Sequence, residues 1–174
     1  MDVKSYDDLS KDKIEEKINH VDDNAKLIDE IVAKIVKQYC GPLDDLVTQA
    51  KTIMDDLNNP PSDEELDSFA MRLPCQLYFT SDAMESLGLR EDISRAAEKE
   101  VFNLARAKVE GTVSDKDSAG QLASQYEAIT TTVMSRAYKK VKARTEVGLE
   151  LLSSIKKVIT RRISSFDITR GDRL

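Results

Sequence analysis

The chain has 174 residues, 40% of them apolar and 33% charged, with 5% aromatics and no Trp. That balance suits helices with one buried and one solvated face, and ten Gly and Pro in a few clusters exclude a β-sandwich or barrel, which needs more turn residues and more alternation. The net charge of −6 is unevenly spread: from Arg136 to Leu174 eleven Lys and Arg face four acids, so this stretch carries +7 and residues 1–135 carry −13.

In chain order, Ser10 is the expected N-cap of a first helix. Its apolar residues are Ile14, Ile18, Val21, Ala25, Ile28, Val32, Ile35 and Tyr39. The intervals alternate between four and three, a heptad seam of the coiled-coil type. Gly41-Pro42 is expected to end this helix and open a second one. The second helix gathers Leu43, Leu46, Val47, Ala50, Ile53, Met54 and Leu57 on one face, and Asn58-Asn59-Pro60-Pro61 stops it. The two helices predict an antiparallel hairpin with an acidic outer surface.

Ser62-Asp63-Glu64-Glu65 has the form of a capping box, with Ser at the N-cap and Glu three residues on. It opens a short helix bearing Leu66, Phe69, Ala70 and Leu73, which Pro74 is expected to break. Cys75–Thr80 reads as a short extended run, and Ser81 as the cap of a turn or helix that Gly88 ends. A longer helix follows from about Arg90 to Glu110, with Ile93, Ala97, Val101, Leu104, Ala105 and Val109 as its inner face. Residues 111–117 form a turn and a new N-cap.

The last helix is predicted from about Asp117 to Phe166. Its stripe runs through Leu122, Tyr126, Ile129, Val133, Ala137, Val141, Val147, Leu151, Ile155, Val158 and Ile163. At 1.5 Å per residue it would reach roughly 70 Å. A domain of this size cannot bury so long a helix, so part of the stripe meets another chain or the helix bends, with Gly148 as the expected bend. The fold expected is all-α: an acidic helical hairpin over 1–60, then an elongated helical bundle over 61–174 with a long basic C-terminal helix.

The residues offer no catalytic constellation, and no enzyme activity or cofactor is expected. The single histidine, His20, sits beside Asp22-Asp23 and reads as a surface residue. No Cys-x-x-Cys, His-x-x-x-His or Gly-rich phosphate loop is present, and the paired aspartates read as solvated helix faces rather than metal ligands. No run of about 18 apolar residues predicts a membrane span, and Met1–Asp8 lacks the apolar core of a signal peptide. Two scattered cysteines, Cys40 and Cys75, fit an intracellular, cytoplasmic setting, with a single bond between them left open.

The densest basic feature is Lys156-Lys157 with Arg161-Arg162; Lys139-Lys140, Lys142 and Arg144 form a second group upstream. On a helix the two groups give a broad cationic face interrupted by the apolar stripe. Such charge density suffices to neutralise phosphates. It serves equally to pair with the acidic N-terminal helices. Tyr126 lies on the apolar stripe and is expected in the core rather than stacked on a base.

The segment Val101-Phe102-Asn103-Leu104-Ala105-Arg106-Ala107-Lys108-Val109-Glu110-Gly111 carries a resemblance to the UvsY family, the recombination mediators of T-even-type phages. The similarity extends over about residues 77–166: a short aromatic segment, an alanine-rich basic helix, a Gly turn, a long helix and a basic tail. The family's basic pair has the form Lys-x-Arg. Its Arg matches Arg106, but Leu104 stands at the Lys position, Lys108 lies one turn on, and the family's tandem Tyr pair is absent. The resemblance implies a homo-oligomer that binds single-stranded DNA, helps displace single-strand-binding protein and loads a RecA-like recombinase, with Arg106 and Lys108 near the strand. Residues 1–76 have no counterpart in it. The alternative is a helical structural or adaptor protein that oligomerises or meets an acidic protein partner.

Overall fold

The computed structural model describes residues 11–56 and 58–171, so the expected Ser10 cap and Leu57 lie outside the described residues. Among the described residues there are four helices: α1 (Lys11–Met54), α2 (Asp63–Lys108), α3 (Val113–Ala123) and α4 (Gln125–Gly171). The chain is all-α, with a long C-terminal helix.

Where a hairpin was expected over 1–60, the described residues hold a single helix, Lys11–Met54. α1 runs through Gly41-Pro42 without a stop. An internal proline removes one backbone hydrogen bond and crowds the carbonyl four residues back, at a cost of about 3 kcal/mol. The apolar spacing outweighs it. Val36, Cys40, Leu43, Leu46 and Ala50 are all buried on one side of α1, while Pro42 is exposed at the edge of that side, bordering a groove toward Met71 and Cys75 of α2. α2 treats Pro74 and Gly88 in the same way. Leu73, Leu77, Ala83 and Leu87 are buried around an exposed Pro74, and the expected extended run Cys75–Thr80 is helical. Gly88 ends nothing; Tyr138 of α4 lies 3.8 Å from where a Cβ would stand, an ordinary contact that a larger residue would also make.

The true boundaries are set by local capping. Ser62 accepts from the Glu65 amide (3.2 Å) while Glu65 accepts from the Ser62 amide (2.8 Å), which is the expected capping box at the start of α2. A second box, Thr112 with Asp115, opens α3 several residues before the predicted start at Asp117. Gly111 precedes it with φ +150°, a conformation in which other residues are strained. The predicted last helix is thus two: the helix is interrupted at Ser124, and α4 then continues for 47 residues, about 70 Å.

Contacts fix the helix directions. Asp29 of α1 pairs with Arg136 and Lys140 of α4, and Asp44 with Arg144, so α1 and α4 run parallel. Asp63 of α2 pairs with Arg162, and Leu77 meets Gly148, so α2 runs antiparallel to both. Between them lie two apolar clusters. One joins Leu43, Leu46 and Ala50 to Leu66, Phe69, Leu73 and Leu77 and to Leu152 and Ile155. The other joins Val32, Val36 and Cys40 to Leu87 and to Val133, Ala137 and Val141. Gly148 is no bend. It is buried within an unbroken α4, and a Cβ there would sit 3.0 Å from Leu77 Cδ2 and 3.2 Å from Leu43 Cδ1, so it admits close three-helix packing.

Beyond the second cluster the packing thins. All of residues 14–27 of α1 are exposed. Ile93 and Leu104, expected on an inner face, are exposed as well, and so is Tyr126 at 83%. At this end α3 docks on α2 through Gly120, whose bare Cα lies against the Phe102 ring.

Candidate nucleic-acid interface

Helix α4 sorts its cations by the direction each residue faces. Residues 136, 140, 144 and 162 turn toward α1 and α2, and each meets an aspartate there. Arg136 and Lys140 share Asp29 (3.9 and 3.3 Å), Arg144 holds Asp44, and Arg162 holds Asp63 at 2.6 Å. Part of the basic surface therefore pairs with the acidic N-terminal helices, as one of the two sequence readings required. These pairs are partly solvated and contribute about 0–1 kcal/mol each. Their larger effect is to fix the register of α4 against its neighbours. Among them Asp44 is the most desolvated: burial pushes its carboxyl above the ordinary value, and the charge and hydrogen bond of Arg144 pull it part of the way back.

On the outer side Lys139, Lys142, Lys156, Lys157 and Arg161 are exposed, and none of them has an acidic partner among the described residues. Lys156, Lys157 and Arg161 rise around a shallow depression floored by Leu149, Leu152, Ser153 and Thr160. All of these residues belong to α4, so the depression is the space between side chains of one helix, an open cationic surface rather than an enclosed pocket. Lys142 stands about 21 Å up the helix from Lys156, with Glu146 and Glu150 between the two groups.

The remaining two candidates lie elsewhere. Arg106 pairs with Asp117 of α3 at 3.0 Å, and Lys108 is exposed at the C-terminal end of α2. The Arg162–Asp63 contact places the C-terminal cations near the start of α2, so Arg106 is about 60 Å away along the bundle. The ten expected residues thus form no single patch. Four are paired, five make the outer face of α4, and Lys108 stands apart. Arg136, a further paired cation of α4, was not among them; its i,i+4 spacing with Lys140 was the signal, since both project to the same side.

Cys40 is buried and Cys75 exposed, and both are free thiols. Burial, with the nearby Asp44 charge, pushes the Cys40 thiol up and leaves it less able to ionise. No group of three or more His, Cys, Asp or Glu gathers into a metal site among the described residues, and no described helix is long and apolar enough to cross a membrane. No family model, curated protein or solved structure matches this chain, so its own residues carry the functional reading.

Proposed function

We propose that this chain is a non-enzymatic, homo-oligomeric protein that binds single-stranded DNA through the outer face of α4. The observation that carries the reading is the division of α4's cations. Those facing inward are matched to aspartates, whereas Lys139, Lys142, Lys156, Lys157 and Arg161 keep their charge exposed on a chain of net charge −6. Exposed ammonium and guanidinium groups along a rod gain by replacing the counterions of a polyphosphate. Each protomer offers few contacts, so useful affinity comes from several protomers on one strand. The resemblance of residues 101–111 supports the narrower form: a phage-type recombination mediator in the host cytoplasm that displaces single-strand-binding protein and loads a RecA-like recombinase. In that form Arg106 reaches the strand by exchanging Asp117 for a phosphate, a small cost for a pair with both side chains more than two-fifths exposed.

Fluorescence anisotropy with labelled single-stranded oligonucleotides tests this. Binding should be present at low salt and fall steeply toward physiological salt. Lys156→Glu with Lys157→Glu and Arg161→Glu should abolish it, whereas removing the same three charges by Gln should reduce the log–log salt slope by about 0.7 for each phosphate that is no longer neutralised. Absence of binding by the wild-type protein at low salt would dispose of the reading. The second reading, an adaptor whose cationic face meets an acidic protein, is favoured by the exposed apolar side chains of α1. It predicts no DNA binding in any of these proteins, and the triple charge reversal would then act on the protein partner instead.

A further inference from the structure

The first half of α1 is a helix that the protomer leaves bare. Every side chain from Ile14 to Leu27 is exposed, including Ile14, Ile18 and Val21. Isolated helices of this length are marginal in water. The segment nonetheless keeps strict alternation of four- and three-residue intervals through Ile14, Ile18, Val21, Ala25 and Ile28. Written as a heptad abcdefg, Ile14, Val21 and Ile28 take position d, and Ile18 and Ala25 take position a. An apolar depression on this surface is lined by Ile14, Lys17, Ile18, Val21 and Asp22. The first four are the d, g, a and d residues of consecutive turns, the set that forms a hole for one knob of a facing helix in a coiled coil. Asp22 borders the next hole.

We propose that residues 14–27 of α1 form a parallel, in-register coiled coil with the same segment of other copies of this chain, three or four in number. Charge decides the occupant and its direction. Within this segment the e positions are Glu15 and Asp22, both acidic, and the g positions are Lys17 and Asn24. In a parallel arrangement the g residue of one strand faces the following e residue of its neighbour, so Lys17 meets Asp22 of a second copy. An antiparallel arrangement would set the acidic e row against itself. β-Branched residues at both a and d (Ile18 with Ile14 and Val21), beside a small Ala25 at the second a position, favour three or four strands over two. The inference gives the oligomeric part of the reading above a defined interface, and it does not depend on DNA binding.

Sedimentation or light scattering of the full chain provides the test. The wild-type protein should have three or four times the protomer mass. Ile18→Glu with Val21→Glu should return it to the protomer mass while cooperative unfolding persists, because neither side chain belongs to the bundle core. Lys17→Glu alone should weaken assembly about tenfold, and adding Asp22→Lys should restore it, a rescue that needs the two positions to face each other across strands. In a Cys75→Ser background, Ile18→Cys should cross-link to itself on oxidation. A monomeric wild type at tens of micromolar, a mass unchanged by the double glutamate variant, or failure of the Ile18→Cys cross-link would each overturn the proposal. Loss of DNA binding with the mass intact would sink only the DNA reading.

Discussion

Residues 14–27 and 28–54 are two stretches of one helix carrying one apolar repeat, yet they occupy different surroundings. From Ile28 onward the seam is met by α2 and α4, and Val32, Val36, Cys40, Leu43, Leu46 and Ala50 are almost wholly shielded from water. Before Ile28 the same kind of residue faces solvent in the protomer. The difference does not lie in α1. It lies in what stands opposite, since the two apolar clusters end at Leu87 on α2 and Val133 on α4. Periodicity determines which side of a helix is apolar; the partner determines whether that side is a core or an interface.

The contrast is tested most strongly by truncating one residue in each half. Leu43→Ala removes a fully buried side chain at the meeting of three helices and should cost about 2–5 kcal/mol. Ile18→Ala should change protomer stability by no more than about 0.5 kcal/mol. Urea unfolding at concentrations below assembly measures both. Equal costs would mean that the first half of α1 is packed in the protomer after all.

The two buried glycines extend the comparison to α3 and to the middle of α4. At Gly120 an added Cβ would lie 2.7 Å from the Phe102 ring and 3.1 Å from the Phe102 carbonyl oxygen. The backbone cannot retreat as a side chain can, so Gly120→Ala should destabilise by about 1–3 kcal/mol and loosen α3 from α2. At Gly148 the nearest atoms are the methyl ends of Leu77 and Leu43, which can rotate away. There the helix-propensity gain of about 1 kcal/mol offsets the crowding, and Gly148→Ala should be close to neutral in thermal unfolding.

These positions also show what the sequence disclosed. The Ser62–Glu65 box was readable because a cap is a contract between residues three apart, and it was found where expected. Gly41-Pro42, Pro74 and Gly88 were read as stops, and each is passed over by a continuous helix. Their local cost is real, but it competes with burial supplied by distant segments. The phase of the pattern held the answer. Val36, Cys40, Leu43, Val47 and Ala50 keep helical spacing straight across Pro42, which itself falls off the seam. For the candidate site the sequence shows the cations, but not their fates. Lys140 and Lys139 are neighbours in sequence, and only the fold places Asp29 beside one and solvent beside the other.

The smallest expected effect separates the capped helix starts from the α1–α4 contact by pH. At Glu65 the amide and hydroxyl of Ser62 donate to the carboxylate and hold its pKa below the ordinary value, and Thr112 does the same for Asp115. The unfolded chain therefore binds these protons more readily than the folded one. Their stabilisation is complete above the ordinary carboxylate values, about pH 4–4.5, and is lost as the solution is acidified through the lowered folded values. Asp44 has the opposite sign. Desolvation, only partly countered by Arg144, raises its pKa, so the folded chain takes up its proton first. Its ionisation weakens the fold as pH rises through the ordinary value, and acid relieves that cost. In urea midpoints measured from pH 7 to pH 3, the deficit of Glu65→Gln relative to wild type should shrink toward zero. The midpoint of wild type relative to Asp44→Asn should move upward over the same range. A parallel shift of both variants would show that Asp44 is held by Arg144 more strongly than it is penalised by burial.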